Sequence, residues 1–201
     1  MRERAWLLVI VPLFASLLTR AQEYTPSFVV HPNQQVVVRD LPLQAAIHEG
    51  TGPALAAALE TMFANPDICC GKNSTFAESL AGNPSLQELR NKLAGRHTLS
   101  DGRPLAVAVD FYSGSTITAA DLINLLRNNS HMLTEWNGKV YVVRGVTFDD
   151  KLYSDGSHDY FLRKLLLFDP SMDSTSHETS FTRGEDDWSK ISGFLLLKAS
   201  S

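Results

Sequence analysis

The chain has 201 residues, a hydrophobic content of 44%, a charged content of 20% and a formal net charge of −4. These proportions belong to a globular protein and exclude a disordered one. No basic stripe accompanies the acidic balance, which argues against nucleic acid as a partner.

The first residues have the pattern of an export signal. Arg2 and Arg4 give a positive start, and Trp6 to Leu18 is a nearly unbroken apolar run. Thr19-Arg20-Ala21 then offers small residues where a signal peptidase reads, so cleavage after Ala21 is expected. The run falls short of the roughly 20 apolar residues that span a bilayer, and Pro12 interrupts it. No later segment is apolar enough to cross a membrane, so 1–21 reads as a signal peptide and 22–201 as one domain. The only cysteines, Cys69 and Cys70, are neighbours, which is no disulfide framework; their partnership would close a strained ring. The core must therefore stabilise the fold.

The stretch Gln22 to Asp40 is extended in character, with Val36 to Val38 as a short strand. From Gly52 the period changes. Pro53 suits a first helical turn, and Leu55, Ala58, Leu59, Met62 and Phe63 make one apolar face before Asn65-Pro66 stops the helix. Ser85 and Glu88 form a capping box for a second helix, lined by Leu86, Leu89 and Leu93 and closed by Gly95. Leu105 to Tyr112 alternates as a strand, and Thr118 with Asp121 caps a third helix. His131 to Trp136, Asn137-Gly138 and Lys139 to Phe148 read as a β-hairpin, because Asn-Gly tolerates the positive φ angles of a tight turn. After a polar loop, Tyr160 to Phe168 is a strand ending at Asp169-Pro170, and Phe194 to Leu197 is a last apolar run. Helices followed by an antiparallel sheet define an α+β class.

Three features occur in a suggestive order: Thr51-Gly52-Pro53-Ala54 opening a helix, Lys139-Val140-Tyr141-Val142-Val143-Arg144-Gly145 opening a strand, and Asp169-Pro170 closing the next one. This order resembles papain-like cysteine peptidases, in particular the bacterial branch of double-glycine leader peptidases. The resemblance covers roughly Gly50 to Ser171 and implies helices packed on an antiparallel β-sheet. In that family a Cys opens the helix, a His opens the strand, and an Asp or Asn closes the next strand. A helix N-terminus favours a thiolate and offers N–H groups to an oxyanion, while imidazole moves the proton and the carboxylate orients it.

Here Thr51 stands at the Cys position and Lys139 at the His position, and Asp169 alone matches. A second register puts Ala54 at the nucleophile position and His48 where a Gln contributes to the oxyanion hole. The resemblance thus implies a scaffold kept and a thiol–imidazole couple lost, with a Lys139–Asp169 ion pair in place of the His–Asp pair. Thr51 suffices as an N-cap. For Thr51 to attack a carbonyl, burial would have to turn Lys139 into a base, against the pull of Asp169. A displaced nucleophile at Cys69 or Cys70 is the other catalytic route, beside Lys72 but with no His close in sequence.

The six histidines include no pair at helical spacing, so no zinc signature arises. Asp149-Asp150 and Asp186-Asp187 read as solvated loop charges rather than a calcium site. No Gly-rich phosphate loop is present, and no metal or cofactor is expected. The expectation is an exported periplasmic or extracellular domain of a bacterium. It would bind a peptide or protein segment in the former cleft, with no catalysis or altered catalysis. An active hydrolase using Thr51 and Lys139 or a displaced cysteine is the first alternative, and a structural envelope-interaction protein the second.

Overall fold

A computed structural model describes residues 28–38 (backbone only), 54–63, 75, 80, 84–128, 131–153, 156–170 and 177–200. In chain order the elements are β1 (Phe28–Val38), α1 (Ala54–Phe63), α2 (Leu86–Leu93), β2 (Gly95–Thr98), β3 (Pro104–Ser113) and α3 (Ala119–Arg127). There follow β4 (His131–Trp136), β5 (Lys139–Tyr153), β6 (His158–Phe168), β7 (Glu178–Thr182) and β8 (Ile191–Ser200).

One antiparallel sheet in the order β2-β3-β8-β4-β5-β6-β7 dominates the architecture, which is sheet-rich α+β. β5 organises it. Val142 pairs with Leu133 of β4 on one edge and with Phe168 of β6 on the other. Beyond the end of β4, β1 takes over that first edge, with Val37 opposite Val146. The register of β1 shifts between Val30 and Gln34, around Pro32, which has no N–H to give a ladder.

The continuous apolar run Phe194 to Leu197 follows from burial on both faces. Leu195 and Leu197 join Leu133, Val142, Phe168, Leu105 and Val107 in a cluster that also contains residues of α1 and α2. Phe194 and Leu196 point the other way, into a cluster with Met132, Val143, Phe148, Leu165, Phe181 and the α3 residues Leu122, Ile123 and Leu126. A strand covered on one face alternates apolar with polar residues; one covered on both has no polar turn to take.

Local chemistry sets the helix ends. Ser85 and Glu88 form the expected capping box, and Glu135 from β4 adds a carboxylate that accepts from the Leu86 N–H at 2.8 Å. Thr118 and Asp121 repeat the box at α3. Their exchanged hydrogen bonds hold both carboxyls, Glu88 and Asp121, below the usual carboxylate range. At the hairpin, Asn137 and Gly138 have φ of 53° and 73°, the mirror-image turn that matches strand twist.

Two sequence expectations change here. α1 is buried beyond one face: Ala56 and Glu60 lie off the apolar stripe, yet each is 1% exposed. The polar loop expected after Phe148 is instead paired strand, since β5 runs on to Tyr153 and β6 starts at His158.

Candidate functional site

The Asn137–Gly138 turn makes Lys139 the first residue of β5, opposite Trp136. On the other edge of β5, Val142 pairs with Phe168, so Asp169 lies just past the end of β6 at the same end of the sheet. Lys139 Nζ donates to Asp169 Oδ2 at 2.6 Å. The two side chains are 44% and 11% exposed, so a mostly buried carboxylate holds a half-exposed ammonium.

Asp169 is fixed from behind by the return of the chain. Its N–H donates to the His177 carbonyl at 2.6 Å. His177 Nδ1 lies 2.8 Å from the Asp169 carbonyl oxygen, which can only accept, so Nδ1 carries the proton. The His177 ring stacks on Phe168 at 5.4 Å. Backbone and ring together fix the main chain that carries the Asp169 carboxylate.

Lys139 Nζ also stands 5.8 Å from the Tyr141 ring. The Tyr141 phenol is pushed above its usual range, chiefly by burial; Lys139 pulls it down and Asp169 pushes it up. Behind the pair runs a wall of aromatic rings. Trp136 meets Tyr141 at 5.9 Å and Phe181 at 5.6 Å, and Phe181 meets Trp188 at 5.3 Å. Trp188 is tied down by its indole N–H, which donates to the Gly114 carbonyl at 2.8 Å. This wall comes from two stretches, the β4–β5 hairpin and the segment from β7 to the turn before β8, about 40 residues apart in sequence, and no local pattern signals it.

Of the residues singled out from the sequence, Lys139 and Asp169 are brought together. Thr51, His48, Cys69 and Cys70 lie outside the described residues. α1, which follows Thr51, begins at Ala54, and Phe63 at its far end lies 5.0 Å from the His131 ring at the start of β4. Val140 and Val142 belong with the α1 cluster, whereas Tyr141 belongs with the opposite one. Strand alternation therefore puts Lys139 and Tyr141 on the face away from α1.

Two buried carboxylates escaped the sequence reading. Glu60 on α1 accepts from the Ser100 hydroxyl at 2.5 Å. Asp150 is not a solvated loop charge: it sits in β5, 9% exposed, with His158 Nδ1 at 2.6 Å. The correction has a plain cause, since the loop that was to solvate it is a strand, and His158, opposite Leu152 on the neighbouring strand, reaches across diagonally to supply a partner. Asp186 is likewise engaged, accepting from the Thr182 N–H at 2.6 Å, and Asp187 accepts from the Ser189 N–H at 2.9 Å. Among the described residues no group of three or more His, Cys, Asp or Glu side chains converges to hold a metal ion. No described helix is long and apolar enough to cross a membrane.

No known protein family, characterised protein or solved structure matches this chain.

Proposed function

We propose that this is an exported papain-like domain whose thiol–imidazole couple has been replaced, and that it holds an extended peptide or protein segment without cleaving it. The observation that carries the reading is the Lys139–Asp169 ion pair at 2.6 Å. It joins the two strand positions at which the resemblance expects a base and its orienting carboxylate. A lysine donating to a carboxylate keeps the orienting geometry of a His–Asp pair and gives up its ability to shuttle a proton.

In this reading α1 runs back about 15 Å from the Phe63–His131 contact. Because Lys139 faces away from α1, the cleft wraps around the end of the sheet rather than lying between helix and strand faces. In this reading Thr51 has no nucleophilic role. The half-exposure of Lys139 supports an inactive site, because a lysine base needs the desolvation that this position lacks. A bound chain would be held by main-chain hydrogen bonds, which survive loss of the nucleophile. Removal of 1–21 on export would deliver the domain to the periplasm or the exterior.

The test is a cleavage and retention screen. The protein without residues 1–21 is incubated with a complex peptide mixture, and both products and retained peptides are read by mass spectrometry. Retention without cleavage is the expected result. Cleavage lost in Thr51→Ala, or in the Cys69→Ser/Cys70→Ser variant, would establish an active hydrolase and identify its nucleophile. Neither cleavage nor retention would favour an envelope-interaction protein.

A further inference from the structure

A half-open hollow of about 210 Å³ lies on the β5–β6–β7 part of the sheet, lined by Arg144, Leu166, Leu167, Glu178 and Thr179. A β-bulge creates it. Val143 pairs with Leu167 and Gly145 with Leu166, so Arg144 is an extra residue without an opposite number in β6. The bulge resets the alternation of β5, keeping Val143, Val146 and Phe148 in one apolar cluster. Bulges re-aim side chains, and the side chain re-aimed here is an arginine.

Arg144 is only partly satisfied. One terminal nitrogen, Nη1, donates to Glu178 Oε1. Its Nε is buried and has no hydrogen-bond partner among the described residues. A buried donor left in that state is costly, and a ligand acceptor would relieve it. Guanidinium offers Nε and a terminal nitrogen as a planar fork that fits one carboxylate with two parallel hydrogen bonds. Glu178 occupies only the terminal side, and its own side chain is 73% exposed on a short edge strand. Beside the fork the lining turns apolar at Leu166 and Leu167.

We infer that the Arg144 hollow binds a small carboxylate carrying a short apolar group, with the carboxylate on the Arg144 fork and the apolar group on Leu166. The volume excludes drug-sized ligands, whose pockets start near 300 Å³. Two sources share this chemistry: a free short-chain acid, and the C-terminal residue of a peptide. Glu178 opposes an incoming anion, so affinity is modest, with Kd on the order of 1 mM. The site is independent of the papain-like reading, since it rests on the bulge and the hollow alone.

The test follows the Arg144 Nε–H signal by NMR while isovalerate, isovaleramide, or N-acetyl-alanyl-leucine in its acid or amide form is added to the folded protein. A saturable shift is expected with the acids, and roughly tenfold weaker binding with the matched amides. Glu178→Gln should tighten isovalerate about threefold by removing the opposing charge. Arg144→Lys should weaken it roughly tenfold, since an ammonium lacks the fork. A peptide acid that binds more tightly than isovalerate assigns the site to chain termini, and the reverse order assigns it to free acids. No saturable shift up to about 50 mM acid, or equal shifts with acid and amide, overturns the inference. Both of these readings come from the wild-type protein and do not depend on a variant folding.

Discussion

The β5–β6 hairpin carries a buried aspartate paired with a base at each of its ends, and the two pairs differ chiefly in the base. At one end Asp169 meets Lys139; at the other Asp150 meets His158, each at 2.6 Å. The aspartates are 11% and 13% exposed, and the bases 44% and 40%, so burial does not distinguish the pairs. The strands trade roles: β5 supplies the base at its start and the acid further along. Lysine carries its charge across the physiological range, whereas an imidazole carries one only when protonated. A His–Asp dyad of the kind a papain-like site would use is thus present in this chain, but at the far end of the hairpin. From Lys139 to Asp150 is a run of about 35 Å along β5. The end that the proposed reading makes a former catalytic site has the base less suited to proton transfer.

That contrast can be broken from the core outward. Phe148 is fully buried and meets Tyr160 edge-on at 5.6 Å, beneath the Asp150 end. Phe148→Ala should cost about 3–5 kcal/mol in urea unfolding and expose that end of the hairpin to hydrogen exchange. A smaller effect is expected at the other end. Lys139→Met removes the cation from Asp169 and should cost about 1–2 kcal/mol, since the lysine itself is half solvated. His158→Gln keeps a donor for Asp150 and should cost less than about 1 kcal/mol. A larger loss for His158→Gln than for Lys139→Met would reverse the comparison.

The smallest effect is spectroscopic. The Tyr141 phenol is raised by burial and by Asp169 and lowered by Lys139, so it reports on the pair directly. In an ultraviolet titration Lys139→Met should move it further up, and Asp169→Asn should move it down. A raised phenol favours the folded state below its ordinary value near 10, and that contribution is lost as pH rises through the folded value. Tyr141→Phe should therefore flatten stability in that alkaline window.

How much of this was legible depended on whether a signal was local. The two capping boxes, at Ser85 and Thr118, and the Asn137–Gly138 turn are contained within four residues or fewer, and each appears where its residues stand. β2 (GRHT) and β7 (ETSFT) carried no hydrophobic signal, because edge strands are kept short and polar. At the site, Lys139 and Asp169 could be matched to a family order along the chain. Glu60 with Ser100, the Trp136–Phe181–Trp188 wall and the Arg144 bulge could not, because each depends on segments that only the sheet brings together. Asp150 was misread for the same reason: its partner, His158, lies across a hairpin whose arms are longer than their apolar pattern suggests.

The most direct measurement restores what the papain-like reading says is missing. In Thr51→Cys/Lys139→His, the introduced thiol is alkylated with iodoacetamide across pH, beside the Thr51→Cys single variant, with Cys69 and Cys70 replaced by serine in both. The expected result is rapid alkylation of the double variant at pH 5–6, the mark of a thiolate paired with imidazolium, and an ordinary thiol profile near 8.5 in the single variant. Identical profiles near 8.5 in both would contradict the papain-like placement of residues 51, 139 and 169.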